Sequence, residues 1–141
     1  MVRLCLKVLY VVLITIVGLS IYSCDDSRYL VGSNNVIELE DVLFTITEYS
    51  VEDSTRLNAK GTAKNTGPNS IYPTWYIEGH FYTDSTLAFK LGDDRQQKSI
   101  SLEPGASLSW SLEYKSYEEN LNQYPKFRVS QLRAYQEHQD D

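Results

Sequence analysis

The segment SLSWSLEY, residues 107–114, decides the fold because its apolar and polar residues alternate without interruption. Leu108, Trp110, Leu112 and Tyr114 share one face, and Ser107, Ser109, Ser111 and Glu113 share the other. A period of two is the pattern of a β-strand with one buried face. The segment is therefore predicted to be a strand that lines a core.

Other segments continue this pattern and are separated by residues that favour turns. The predicted strands are residues 36–49, 56–65, 71–83, 87–91, 99–102, 107–114 and 126–135, with a polar loop at 92–98. Seven short strands with almost no helix predict an all-β fold, a two-sheet antiparallel immunoglobulin-like sandwich. A small barrel is the alternative.

Individual residues refine this fold. Trp75 is predicted to centre the core, in a strand that packs beside the small inward residues of 56–65. Pro104 and Gly105 occupy the central positions expected of a type II turn. Ser116 and Glu119 have the spacing of a capping box, which predicts a helical turn before Pro125. Apolar residues change face within 126–135, which indicates a bulge or a strand covered on both sides.

The N-terminus has the parts of a secretory signal. Arg3 and Lys7 precede 16 uncharged residues, 8–23, slightly fewer than the roughly 17 to 25 that span a bilayer. The predicted organisation is a signal helix in residues 1–23, a tether in 24–35, the sandwich in 36–135 and a disordered tail in 136–141.

The end of this run, Ile21-Tyr22-Ser23-Cys24, resembles the lipobox of bacterial lipoproteins. The resemblance implies that Cys24 carries a diacylglycerol thioether, becomes the new N-terminus and is N-acylated. It also implies a protein of the bacterial cell envelope that contacts the membrane through this lipid, on the periplasmic or the exposed side. The alternative is an uncleaved signal anchor in which Cys24 is an ordinary thiol.

Composition limits the functions of the mature chain. Removing 23 residues from 141 leaves 118, the size of one domain. Cys5 lies within the signal, so no disulfide is expected. The mature chain has 11 basic and 19 acidic residues, a net charge of -8. Phosphate backbones repel such a surface, so a nucleic-acid partner is not expected.

Three turn motifs point to a family. Residues 61–67 (GTAKNTG), 82–84 (YTD) and 102–105 (LEPG) resemble the FxLYD group of immunoglobulin-like bacterial domains, often found on lipoproteins. The similarity covers about residues 36–135. It implies the fold and implies no particular activity, because the motifs carry turn chemistry.

Reactive groups are sparse after the signal. The histidines are His80 and His138, and no hydrolase or metalloprotease motif occurs. His80 with Glu78, two residues apart on a strand, is interpreted as a surface pair. Asp84, Asp93 and Asp94 match no calcium loop and are interpreted as solvated carboxylates. The chain is therefore predicted not to be an enzyme and to hold neither a metal nor a cofactor.

The remaining lead is a tyrosine-rich strand. Its predicted binding surface comprises Tyr72, Tyr76, His80 and Tyr82. Tyrosine rings are common at protein interfaces and also stack on sugars, while a covering strand would make them core instead. The sequence thus predicts a lipid-anchored envelope protein with a non-catalytic binding or assembly domain. A glycan-binding surface module and a signal-anchored protein without lipid are the alternatives.

Overall fold

The computed structural model describes residues 36–137, so the predicted signal, Cys24, the tether and His138 lie outside the described residues. Seven strands occur in the described part: β1 Val36–Glu38, β2 Val42–Glu52, β3 Arg56–Asn65, β4 Trp75–Tyr82, β5 Lys90–Lys98, β6 Ser107–Lys115 and β7 Arg128–Glu137. They form a four-stranded sheet, β1-β7-β4-β5, and a three-stranded sheet, β2-β3-β6. Every pairing is antiparallel. The predicted all-β, immunoglobulin-like sandwich is confirmed.

The core lies between the two sheets and is built from alternate strand positions. Its largest fully buried side chains are Trp75, Trp110, Phe81 and Phe127. The predicted central role of Trp75 is confirmed, and its indole N–H donates to the Ile100 carbonyl at 3.0 Å. Within residues 36–137 no helix is both long and apolar enough to cross a bilayer.

The strand that contains Trp75 was predicted to pack beside the small residues of β3, and this prediction is wrong. Trp110 of β6, not Trp75, lies beside Gly61. A Cβ built at Gly61 would stand 2.6 Å from the Trp110 ring and 2.0 Å from the Thr45 carbonyl oxygen. Only glycine leaves room for the indole at this position.

The first predicted strand, residues 36–49, is two strands in different sheets. β1 pairs with β7, whereas β2 pairs with β3. The chain crosses between the sheets at a turn through Glu40 and Asp41. The Asp41 carbonyl accepts from the backbone N–H and the hydroxyl of Thr66, both at 2.8 Å, which holds this corner.

The predicted strand 71–83 begins later than expected, at Trp75. Pro73 has no N–H to donate to a sheet, which opposes an earlier start. Ile71 forms an isolated bridge with Leu102, and this bridge is all that remains of the predicted strand 99–102.

The predicted strand 87–91 and polar loop 92–98 are wrong, because β5 occupies Lys90–Lys98. Its polar side chains bond to the backbone of β6, the edge strand of the other sheet. The Glu113 N–H donates to Asp94 at 2.7 Å, the Ser111 N–H donates to Gln96 at 3.1 Å, and Lys98 donates to the Ser109 carbonyl at 2.9 Å. We call these contacts the β5–β6 seam. They satisfy backbone groups that an open edge would expose.

The bulge predicted for the last strand is confirmed. The register between β4 and β7 shifts between Glu78 and His80, where Gln131 has a positive φ of 53°. The strand itself lies two residues later than predicted, so Gln136 and Glu137 pair with β1 instead of beginning a tail.

Two predicted turns have mixed outcomes. Gly105 has φ of 76°, and the Ala106 N–H donates to the Glu103 carbonyl at 3.0 Å, as a type II turn requires. Ser116 does accept from the Glu119 N–H at 3.3 Å. The helical turn that follows is a short 3-10 turn, Leu121–Gln123, and its N-cap is Asn120.

Candidate functional site

The outer side of the four-stranded sheet gathers aromatic and charged residues from three strands. On β4, alternate positions place Tyr76, His80 and Tyr82 on this side. Glu78 pairs in register with Arg95 of β5 and with Arg133 of β7. We call this surface the tyrosine face, and its residues are Tyr76, Glu78, His80, Tyr82, Arg95, Arg133, Tyr135 and Glu137.

Two tyrosine rings form the centre of the tyrosine face. Tyr76 and Tyr135 stack with ring centroids 5.3 Å apart and an interplanar angle of 21°. The Arg95 guanidinium lies over Tyr76 at 5.1 Å, and the Arg133 guanidinium lies over Tyr135 at 5.0 Å. Because guanidinium groups are attracted to aromatic faces, the four side chains support one another.

Arg95 of β5 is linked by hydrogen bonds to two residues of β7. From β5 it passes over Tyr76 and donates to the Tyr135 hydroxyl at 3.4 Å and to the Glu137 carboxylate at 2.6 Å. These hydrogen bonds, to Tyr135 and then to Glu137, raise the pKa of Arg95. The guanidinium therefore stays charged, and its side chain is still 57% exposed.

Glu78 occupies the middle of the same row. Both of its carboxylate oxygens accept from Arg133, at 3.1 and 3.2 Å. His80 Nε2 lies 3.4 Å from Glu78 Oε1. The Glu78 side chain is only 16% exposed, so its charge is shielded from solvent and held by Arg133.

The four residues predicted as a binding surface do not form one exposed patch. Tyr76 and His80 are half-buried and share the tyrosine face with Tyr82, which is buried. Tyr72 precedes β4 and is 65% exposed, and its carbonyl accepts from the Gln136 side chain at 2.8 Å. The prediction thus joins three residues of one face with a fourth that belongs to a loop.

Sequence reasoning missed the partners supplied by other strands. Arg95 was assigned to a loop, while Arg133, Tyr135 and Glu137 are far from β4 in the chain. The one available signal was the alternation of Arg133, Tyr135 and Glu137, which places them on one face of a strand. Their proximity to Tyr76 depends on strand order, and alternation does not define that order.

The acidic residues weighed for calcium have other partners. Asp84 accepts from the hydroxyl and the N–H of Thr86, which lowers the pKa of Asp84. Lys90 donates to Asp93 at 2.6 Å and lowers the pKa of that carboxyl. Asp94 belongs to the β5–β6 seam. In residues 36–137, no three or more His, Cys, Asp or Glu side chains are grouped so that they could hold a metal ion.

No protein-family model matches this chain, and neither the curated proteins nor the solved structures include a significant match.

Proposed function

We propose that this chain is a lipid-anchored protein of the bacterial envelope whose sandwich binds a protein partner through the tyrosine face. The anchor rests on the sequence alone, since Cys24 ends a run that resembles a lipobox. Two or more acyl chains hold a protein stably on a membrane. The domain then acts as a binding or assembly module and performs no catalysis.

The position of Arg95 carries the protein-binding proposal. Its guanidinium is fixed between Tyr76, Tyr135 and Glu137, and yet more than half of the side chain remains exposed. Arginine and tyrosine are enriched among the residues that dominate protein interfaces. A side chain that is already ordered loses less conformational entropy on binding. Arg95 is therefore prepared to contact a partner.

The same geometry favours a protein over a glycan. A sugar that stacks on tyrosine needs an open ring face. The neighbours of Tyr76 come from opposite sides, because β5 and β7 flank β4. Tyr135 stacks on the Tyr76 ring, and the Arg95 guanidinium lies 5.1 Å from the centroid of the same ring, so both side chains compete with a sugar for it. Tyr82 is buried. The surface thus offers guanidinium and carboxylate groups instead of bare rings.

Site-specific crosslinking of the full chain in cells tests this proposal. A photoreactive phenylalanine analogue replaces Gln97, which is exposed and pairs with Tyr76. The matched control carries the analogue at Ser109, an exposed position on the outer side of the other sheet. We expect a discrete protein adduct from position 97 only. Arg95→Ala should lower its yield by about tenfold, the effect of losing a dominant interface residue.

Several outcomes would count against the tyrosine face. Equal adducts from positions 97 and 109, no adduct at all, or an adduct insensitive to Arg95→Ala would each exclude it. Binding to a glycan array that is lost in Arg95→Ala would replace the protein partner with a sugar. An unchanged melting temperature shows that each variant is folded.

The anchor is tested separately by metabolic labelling with a radioactive fatty acid. The wild-type chain should incorporate label and Cys24→Ala should not. Label retained by Cys24→Ala would exclude lipid attachment at this residue. Because this experiment reads the lipid alone, its result is independent of the tyrosine face.

A further inference from the structure

The outer side of the four-stranded sheet differs in charge from the rest of the domain. Residues 36–137 contain ten basic and fifteen acidic side chains. Strand register places four of each on this side: Lys90, Arg95, Arg128 and Arg133, with Glu38, Glu78, Asp93 and Glu137. The side is therefore neutral, and the remaining surface carries the whole net charge of -5. Two copies of the domain repel each other less here than elsewhere.

We propose that the partner of the tyrosine face is a second copy of this chain, packed face to face about a two-fold axis. The inference rests on the proposed function, because it names the partner of the same surface. Self-association about a two-fold axis requires a surface that is complementary to itself. The order of charges along the strands meets this requirement.

Two neighbouring rows of the sheet define where the axis lies. Glu78 pairs with Arg95 in one row, and His80 pairs with Asp93 in the next. Arg95 and Asp93 are two residues apart on β5, so they share a side and are separated by about 7 Å. A two-fold axis that crosses the strands midway between these rows exchanges the rows. It places Arg95 of each copy over Asp93 of the other copy. It also places Glu78 over His80, whose ring N–H can donate to a carboxylate.

The two charged groups of this contact are exposed and already ordered. The side chains of Arg95 and Asp93 are each 57% exposed. Arg95 is held by Glu137 and Asp93 by Lys90, both at 2.6 Å. Ordered side chains lose less conformational entropy on binding. The pairing thus joins two groups that are already in place, and the symmetry forms the contact twice.

The third strand favours this axis over one that runs parallel to β4. Arg133 of β7 also pairs with Glu78, so Arg133 and Arg95 lie in one row on either side of β4. A two-fold axis along β4 would place these guanidiniums over each other, and opposed like charges disfavour association. The perpendicular axis instead places Arg133 over Ser130, which pairs with His80. The Ser130 hydroxyl can accept from a guanidinium.

The size of the surface predicts reversible association. β4, β5 and β7 have 8, 9 and 10 residues. Three strands of this length cover roughly 14 by 27 Å. An interface of about 400 Å² per partner belongs to the weak, transient class. Covalent capture is therefore better suited to detect the dimer than separation by size.

Crosslinking of two tagged copies of the full chain in cells tests the pairing. A photoreactive phenylalanine analogue replaces Gln97 in the copy with one epitope tag, and the other copy carries a second tag. We expect an adduct that contains both tags. Position 97 lies as far from the axis on one side as residue 91 does on the other. Mass spectrometry should therefore map the adduct to residues 90–92 of the other copy, whereas an axis along β4 would map it to β7.

Charge reversal provides matched variants for the same experiment. Arg95→Glu opposes two carboxylates and Asp93→Arg opposes two guanidiniums, so each variant alone should lower the adduct yield by about tenfold. Co-expression of the two variants restores opposite charges at both contacts and should recover most of the yield. The control Lys64→Glu reverses an exposed charge on the other sheet and should leave the yield unchanged. Melting temperatures equal to that of the wild type show that the variants are folded.

The outcomes separate the second copy from the tyrosine face. An adduct between position 97 and a different protein, lost in Arg95→Ala, would overturn the second copy and keep the tyrosine face as the binding surface. Equal adducts from positions 97 and 109, or no adduct, would overturn both. A two-tag adduct that maps to β7, or a yield that the mixed variants do not recover, would exclude the proposed axis.

Discussion

The two outer surfaces of the sandwich follow the same alternation but carry different chemistry. The outward positions of the three-stranded sheet include small hydroxyl residues, Thr45, Thr62, Ser107, Ser109 and Ser111, which we call the hydroxyl face. The tyrosine face instead joins rings, guanidiniums and carboxylates across three strands. Beside them stand Leu43 and the Glu48–Lys60 pair, so this side is covered largely by separate side chains. The contrast supports the proposal that the network on the tyrosine face has a role in addition to covering β4.

Truncation of the stacked Tyr135 ring should give the largest difference in the free energy of unfolding between variants of the two faces. Tyr135 is 3% exposed, and Tyr135→Ala removes its contacts with Tyr76, Arg95 and Arg133. We expect the free energy of unfolding to fall by about 3 kcal/mol. Ser109→Ala on the hydroxyl face should change it by less than about 0.5 kcal/mol. Urea denaturation of both variants measures the difference.

Tyr135→Phe provides the control, because it keeps the ring and removes only the hydroxyl that accepts from Arg95 at 3.4 Å. Its free energy of unfolding should stay within about 0.5 kcal/mol of wild type, since that bond is long. If Tyr135→Ala were as stable as Ser109→Ala, the stack would contribute nothing to the fold, and the contrast between the faces would be one of binding alone.

Removal of an ion pair should also lower the free energy of unfolding more on the tyrosine face than on the hydroxyl face. This difference should be smaller than the one expected for Tyr135→Ala. Glu78 accepts two hydrogen bonds from Arg133 and is 16% exposed, whereas Glu48 and Lys60 on the hydroxyl side are 3.4 Å apart and about half exposed. Glu78→Gln should lower the free energy of unfolding by about 1 to 2 kcal/mol, because it weakens a shielded, charge-assisted contact in which one Arg133 nitrogen donates to both carboxylate oxygens. Glu48→Gln should cost less than about 0.5 kcal/mol.

Salt provides an independent check on this pair of variants. Raising the ionic strength should reduce the small effect of Glu48→Gln more than that of Glu78→Gln, because exposed charges are screened more strongly. Equal costs at low salt would show that Glu78 gains nothing from its shielded position beside Arg133.

The strands that could be predicted are those whose inward residues are apolar. β6 alternates Leu108, Trp110 and Leu112 with serine, and its position followed directly from that pattern. β5 has the same geometry, but Asp94, Gln96 and Lys98 reach the β6 backbone through hydrogen bonds. Periodicity identifies burial through apolar residues, so a strand held by polar contacts looks like a loop.

The same limitation explains how much of the candidate site could be predicted. Tyr76, His80 and Tyr82 lie on one strand, so alternation alone placed them together. Tyr135 lies 59 residues from Tyr76 in the chain. Their stacking depends on β7 pairing with β4, a choice of strand order that no local pattern records.

The β5–β6 seam joins the sheets that bear the two faces. Substitution of Lys98 tests this seam, and we expect it to change the stability of the domain least among these variants. Lys98 is buried, and its ammonium donates to the Gln96 side chain at 2.7 Å and to the Ser109 carbonyl at 2.9 Å. Both acceptors are neutral. Desolvation lowers the pKa of Lys98 below its ordinary value of 10.5. The unfolded chain therefore binds a proton more tightly at this side chain than the folded domain does.

This difference fixes the sign of the pH dependence. Between the lowered pKa of the folded state and 10.5, the unfolded chain holds more protons, so the contribution of Lys98 to stability rises with pH. Below that window its burial penalty is constant. We expect the free energy of unfolding of the wild type, minus that of Lys98→Met, to increase as urea denaturation is repeated from neutral pH toward 10.5. Lys64→Met, which removes an exposed charge from the same domain, is the control and should leave the profile unchanged. If the difference in the free energy of unfolding between wild type and Lys98→Met did not change with pH, water would reach the ammonium group and the seam would be open.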